Sequence, residues 1–455
     1  MYSHWESLYE KLKSYGASDF YGFHMPGHKR QMGCFENPFQ WDITEIAGFD
    51  DLHHPEKDGI LTRAQERASK LYGAEESHFL VNGSTAGILS AISGCVTREG
   101  KLLMARNSHR SAYHAAELRG LRVSYVYPQF IKELGINGGI LPADVENVLA
   151  EEEGIEAVFV TSPTYDGVCS DVRSIADICH RAGVPLIVDQ AHGAHFPFSE
   201  YFPEDAIRAG ADVVIHSVHK TLPALTQTAL LHLQGDLADG ERIRHYLSVY
   251  QTSSPSYVLL ASLDACMELL EHEGQELFTD YVQRLEGFRN SCRDLKTLRL
   301  AGKELEGFCG VQEFDRSKLL ISTRGTRLGG EKLSGLLRER FHLEMEMAAP
   351  DYVVGISSVA DTEEGFRRLG LALHELDAEN EKKKEFPQES RKTDRSQNRI
   401  STAYVYVYPP GTPVLAPGDV VTEEMEEEIR RWQAAGFTVH GLGEDGRPVV
   451  VEEET

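Results

Sequence analysis

The segment ADVVIHSVHKTLPALTQTALLH places Lys220 directly after an apolar run, beside Ser217 and His219, with a second apolar run soon after. A lysine desolvated at the end of a buried strand gives up its proton more readily. It can then act as an amine nucleophile and form an imine with a carbonyl cofactor. Taken alone, a lysine after a strand is most often a solvent-facing loop residue, so the chemistry rests on its companions. In PLIVDQAHGAHF, Asp189 ends another apolar run. A carboxylate there could pair with a protonated pyridine nitrogen and strengthen the ring as an electron sink. The competing readings are a turn-capping aspartate, or a metal site shared with His192 and His195 in D-x-x-H-x-x-H spacing, which leaves Lys220 unexplained.

FLVNGSTAG supplies a strand, a glycine and two hydroxyls, Ser84 and Thr85, at the start of a helix. Backbone N–H groups at a helix N-terminus form a phosphate cradle. The pattern is neither GxGxxG nor a P-loop ending in GK[ST], so neither a dinucleotide nor ATP is favoured. Ser and Thr are also ordinary helix caps. His109, in NSHRSAYHA after the run KLLMAR, could stack on a pyridine face or simply cap a helix. In TSPTYDG, Thr164 and Tyr165 could bound the ring-oxygen side of a cofactor, or mark a proline-fixed turn. Together, an imine-forming lysine, an aspartate and a phosphate cradle suit pyridoxal 5'-phosphate (PLP), with no metal required.

These residues need a scaffold that brings strand ends together. The runs KLLMAR, RVSYVY, EAVFV, PLIVDQ, ADVVIHS and TALLHL alternate with amphipathic segments such as DVRSIADICHRAG. Strands that are apolar on both faces and alternate with helices imply an α/β fold with a mostly parallel, doubly covered sheet. Its ligands would gather beyond the carboxyl ends of the strands. Residues 1–60 read as an N-terminal arm, with a helical pattern only at Trp5 to Tyr15. Residues 61–290 read as the cofactor-binding major domain and 291–455 as a smaller C-terminal α/β region with a polar linker near 377–400. RAQERASKLYG predicts a helix ended by Gly73, and SYVLLASLD to SCRDL a long helical region.

The chain has 455 residues, 46 basic and 71 acidic, for a formal charge of -25. That balance opposes nucleic acid and anionic membrane as partners. No apolar run approaches the roughly 18 residues of a spanning helix, and the N-terminus does not resemble a signal peptide. Seven cysteines without a CxxC pair read as reduced cytoplasmic thiols.

FHMPGHK, DITEIAGFDDLHHPE, NGSTAG, TSPTYDG, DQAHGAHF, SVHKTLPALTQ and PPGTPVLAPGD occur in this order from residue 23 onward. With them the chain closely resembles the ornithine/lysine/arginine decarboxylase family of fold-type-I PLP enzymes, in a short form without the N-terminal wing domain. The resemblance implies that Lys220 is the Schiff-base lysine, Asp189 the partner of the pyridinium nitrogen and His109 the ring-stacking residue. It implies Ser84, Thr85, Ser217 and His219 as phosphate ligands, and His192 as a cofactor contact near Asp189. Gln190 and Arg30 stand at motif positions that often hold other residues. The family forms closely paired dimers, so a homodimer or dimer-based oligomer is expected.

The activity so implied is decarboxylation of a basic amino acid, arginine first and lysine or ornithine next. Glu45, Asp50 and Asp51 are candidates to meet the cationic tail, and acidic residues there equally suit a solvated face or a helix cap. An aminotransferase or another PLP lyase would use the same cofactor placement. A non-catalytic PLP-fold binding protein and a metal hydrolase built on Asp189 and His192 are the alternatives from other classes.

Overall fold

The apolar runs form one seven-stranded sheet in the computed structural model, which describes residues 18–29, 42–43, 49–380, 399–407, 412–434 and 436–452. From edge to edge the strands are Glu76–Leu80, Ala229–Leu233, Val213–His216, Leu186–Asp189, Ile155–Thr161, Lys101–Ala105 and Arg122–Val126. Ala229–Leu233 runs antiparallel to both neighbours, and the remaining pairings are parallel. Successive side chains alternate between faces. Val158, Val160, Val188 and Val214 therefore join one buried cluster, while Ala157, Phe159, Ile187, Val213 and Ile215 join another. Both faces are covered, which is why these strands are continuously apolar.

The helix Ile60–Tyr72 is stopped by Gly73, whose φ of 74° is the left-handed conformation favoured by glycine. It begins earlier than the sequence suggests, because the Asp50 carboxylate accepts the Leu61 N–H and holds the first turn. The long helical region is a single 35-residue helix, Tyr257–Ser291. It leads to a four-stranded antiparallel sheet of Arg299–Leu300, Lys318–Ser322, Tyr352–Ile356 and Met347–Ala349. The helices Gly330–Phe341 and Glu363–Glu379 accompany this sheet.

Two crossings tie the chain together around the carboxyl ends of the large sheet. Tyr21–Phe23 pairs in parallel with Leu343–Met345, and the Gly27 N–H donates to the His219 carbonyl at 2.7 Å. From the other side, Arg106 donates to the carbonyls of Pro413 and Val414 at 2.9 and 3.3 Å and pairs with Asp419. This guanidinium is largely buried, so the 412–419 segment is anchored beside the strand end at Ala105. The expected Trp5 to Tyr15 helix and most of the polar linker lie outside the described residues.

Candidate active site

The carboxyl ends of the parallel strands open into a cleft of about 1860 Å³. Ser84 and Thr85 reach it after Leu80, His109 after Ala105, and Thr164 and Tyr165 after Thr161. Asp189 is the last residue of its own strand, and Lys220 lies in the helical turn Val218–Thr221 that follows Val213–His216. The strand-end rule for open α/β sheets thus collects these groups from distant parts of the sequence.

Lys220 Nζ lies 3.0 Å from His192 Nε2. Burial pushes its pKa down, opposed by the charges of Asp189 and Glu346. Asp189 is 3% exposed, and its Oδ1 accepts the Ala191 N–H at 3.1 Å. Burial raises the pKa of this carboxyl, while Lys220 and the Ala191 N–H pull it back. Each group therefore gains from an opposite charge in the cleft.

His109 caps the helix Arg110–Arg119, its Nδ1 accepting the Ser111 N–H at 3.3 Å. Burial, then the charge of Lys220, lowers its pKa to about 3. The His219 Nδ1 lies 2.8 Å from the Thr228 carbonyl and must donate to it, and burial lowers this ring to about 4. Both imidazoles are thus neutral over the ordinary pH range.

Ser84 and Thr85 occupy the first turn of the helix Gly83–Cys95, whose N-cap residue Asn82 makes no side-chain cap bond. First-turn N–H groups have no partner inside the helix. Together with the two hydroxyls they form a donor set that fits a phosphate. Ser217 Oγ is buried with no hydrogen-bond partner among the described residues. Ser217 is fully buried and does not line the cleft, unlike the other expected ligands.

Asp50, Asp51 and His195 do not line the cleft. Asp50 caps a helix, and Asp51 accepts the His53 N–H and pairs with His54. Glu45 and Arg30 lie outside the described residues. His195 does not join Asp189 and His192. It faces Asp315 at 3.3 Å, and no group of three or more His, Cys, Asp or Glu side chains among the described residues is arranged to hold a metal ion. The Gln190 amide oxygen accepts the Ala206 N–H at 3.1 Å and lies 2.8 Å from His216 Nε2, which makes it a strut beneath the site.

Three residues of the site were not singled out from sequence. Lys318, fully buried, places Nζ 2.7 Å from His192 Nδ1. Glu346 accepts the Tyr165 hydroxyl at 2.5 Å and the Met25 N–H at 2.7 Å, joining the N-terminal arm to the cleft. Asp166 is buried beside Lys318 and Tyr352, and its carboxyl is pushed up to about 6 by burial. The one available signal was a lysine opening the otherwise apolar run KLLIS, a position that usually faces water.

The sequence pattern of the Orn/Lys/Arg decarboxylase major domain matches residues 6–305. The chain belongs to this family. The family's chemistry is PLP-dependent decarboxylation of a basic amino acid, and the protein is an enzyme of that kind. It is 31% identical to an arginine decarboxylase of Bacillus subtilis (strain 168), over 97% of this chain and 96% of the relative. An arginine decarboxylase of Bacillus anthracis is 30% identical over 95% and 94%. The lysine decarboxylase LdcA of Pseudomonas aeruginosa is 25% identical over 64% of this chain and 43% of the relative. Among solved structures, the lysine decarboxylase LdcF of Francisella novicida superposes with a TM-score of 0.74 at 19% identity, covering 98% of this chain and 80% of that one. A ureidoglycine-glyoxylate aminotransferase of Bacillus subtilis superposes with a TM-score of 0.59 at 15% identity, over 79% of this chain and 93% of that one. These superpositions place the family member in the fold of type-I PLP enzymes. Among its described residues no helix is long and apolar enough to cross a membrane.

Proposed function

We propose that this enzyme decarboxylates arginine to agmatine and CO2, with PLP held in the strand-end cleft and attached through Lys220. The observation that carries the choice of arginine is similarity to arginine decarboxylases over more than nine-tenths of both chains, against less than half of the lysine decarboxylase LdcA.

When bound, PLP supplies an electron sink for the electrons left at Cα as CO2 departs. The protein's part is to place groups around that chemistry. Ser84 and Thr85, with the N–H groups of their helix, hold the phosphate; His219 borders it and Ser217 backs it. Asp189 keeps a proton on the pyridine nitrogen, a role that suits a buried carboxylate facing a cation. His109, neutral, offers the flat face of its ring without adding a charge that would oppose the pyridinium. Lys220 Nζ binds the cofactor and, once free, can hold the proton that Cα receives. The walls of the cleft orient the substrate so that the carboxylate bond, and not another bond at Cα, is broken.

The arm, major domain and C-terminal region at residues 1–60, 61–290 and 291–455 are proposed as the working units, in a cytoplasmic homodimer or dimer-based oligomer. The reaction is tested by offering PLP-loaded protein arginine, lysine and ornithine separately and following amine and CO2. Agmatine and CO2 in equal amounts from arginine are expected. Cadaverine from lysine or putrescine from ornithine as the main product would overturn the substrate choice, and a keto acid would replace decarboxylation by transamination.

A further inference from the structure

His192 is flanked by an amine on each ring nitrogen. Lys220 Nζ lies 3.0 Å from Nε2 and Lys318 Nζ lies 2.7 Å from Nδ1. His192 is 6% exposed and Lys318 is fully buried, and at these distances both contacts are direct. A neutral imidazole has one N–H and one lone pair, whereas an ammonium has donors only. One flanking lysine must therefore donate to the ring and the other accept from it. The donor can be an ammonium, but the acceptor must be a neutral amine. A doubly protonated ring would need two neutral amines, and burial together with both lysines holds His192 well below the usual histidine range.

The three groups can therefore hold at most one extra proton between the two amines. Its two seats are comparably furnished. Asp189 and Glu346 favour the charge on Lys220, while Asp315, Glu346 and Asp166 favour it on Lys318. The Tyr165 ring also faces Lys318, 5.5 Å from Nζ to the centroid. Burial brings Lys318 down to about 8, within reach of ordinary pH. His109 and His219 complete the surroundings of Lys220 and stay neutral, at about 3 and about 4.

We infer that Lys318 is a positioning residue acting through His192: it takes up the proton that Lys220 must shed before bonding to PLP, and returns it when Lys220 is freed. The inference rests on the assignment of Lys220 as the cofactor lysine. In the forward direction a proton passes from Lys220 Nζ to His192 Nε2 as another passes from His192 Nδ1 to Lys318 Nζ. The ring changes tautomer, no net charge leaves the cluster, and Lys220 becomes a neutral amine. Its nitrogen then bonds to the aldehyde carbon of PLP, and the aldehyde oxygen leaves as water with the two amine protons. The reverse transfer returns Lys220 to the ammonium form, which can supply the Cα proton.

The test measures the rate of PLP capture by apoenzyme against pH, from absorbance, for wild type, Lys318→Met and Lys318→Gln. Borohydride reduction and peptide mapping locate the captured PLP. Both variants are expected to move the pH midpoint of capture up by about one unit and to slow capture near neutral pH by about tenfold, since one pKa unit is tenfold in free amine. Glutamine can still hydrogen-bond to His192 but cannot hold the proton. A wild-type pH profile in Lys318→Gln would reduce Lys318 to a structural partner and overturn the inference. Should circular dichroism show that both Lys318 variants are unfolded, His192→Phe, which cuts the wire, is expected to give the same shift, and an unshifted midpoint there overturns the inference. PLP absent from Lys220 in wild type would instead overturn the cofactor-lysine assignment.

Discussion

Asp189 ends its strand in parallel register with Ile215, and the strand that holds Ile215 runs straight into the turn that carries Lys220. The carboxyl and the amine therefore face one cleft because two neighbouring strands end together. Burial works against the charge on each, and each is among the charges that restore it in the other. In Asp189→Ala, PLP capture is expected to persist in part while kcat falls by about 10²–10³, the usual loss on removing one preorganised electrostatic group. Titration with PLP and single-turnover kinetics separate the two effects. A kcat within threefold of wild type would remove Asp189 from its proposed role.

Gly27 packs backbone against backbone with the turn that carries Lys220. A Cβ there would lie 2.7 Å from both the N and the O of Leu222, and the Gly27 N–H already donates to the His219 carbonyl. Main chain cannot rotate away as a side-chain tip can. Gly27→Ala is expected to cost about 1–3 kcal/mol in urea unfolding, as overpacking does, and to weaken PLP binding. Unchanged stability and affinity would show that the arm is not fastened there.

Acid should destabilise the fold through its buried histidines. His109 and His219 titrate at about 3 and about 4 when folded, against 6.5 for a free ring. Between those limits the unfolded chain binds more protons, so stability falls as pH falls from about 6.5 towards 4, by up to about 1.4 kcal/mol per pH unit for each ring. Asp166 acts in the opposite sense. Its folded pKa, raised to about 6, gives a contribution that is present below the unfolded value of 3.8 and lost as pH rises through 6. Asp166→Asn should therefore be more stable than wild type at pH 7, with a steeper loss towards acid. Urea midpoints at pH 7, 6 and 5 for both proteins check the signs.

Much of the site was legible because it sits at strand ends marked by abrupt changes in the sequence. Asp189, Lys220, His109 and Ser84 each follow an apolar run, and a parallel sheet brings such positions together whatever their spacing. Lys318 and Glu346 were not legible. Lys318 comes from a second sheet and Glu346 from the bend between Leu343–Met345 and Met347–Ala349, and only the packing of these elements against the first sheet brings them to the cleft. For Asp50 the sequence left substrate contact and helix capping open, because its capping of Leu61 depends on the path of the intervening chain. The spacing from Asp189 to His195 suggested shared ligation, but Asp315, far along the chain, faces His195 instead.

The most direct test of the assignment is Lys220→Ala, examined after incubation with PLP for cofactor absorbance, covalent attachment after borohydride reduction, and agmatine formation from arginine. Loss of the attachment is expected, with turnover down by at least the roughly 10²–10⁴-fold that a positioned proton-transfer group contributes. Wild-type turnover with PLP still bound in that variant would contradict the role given to Lys220.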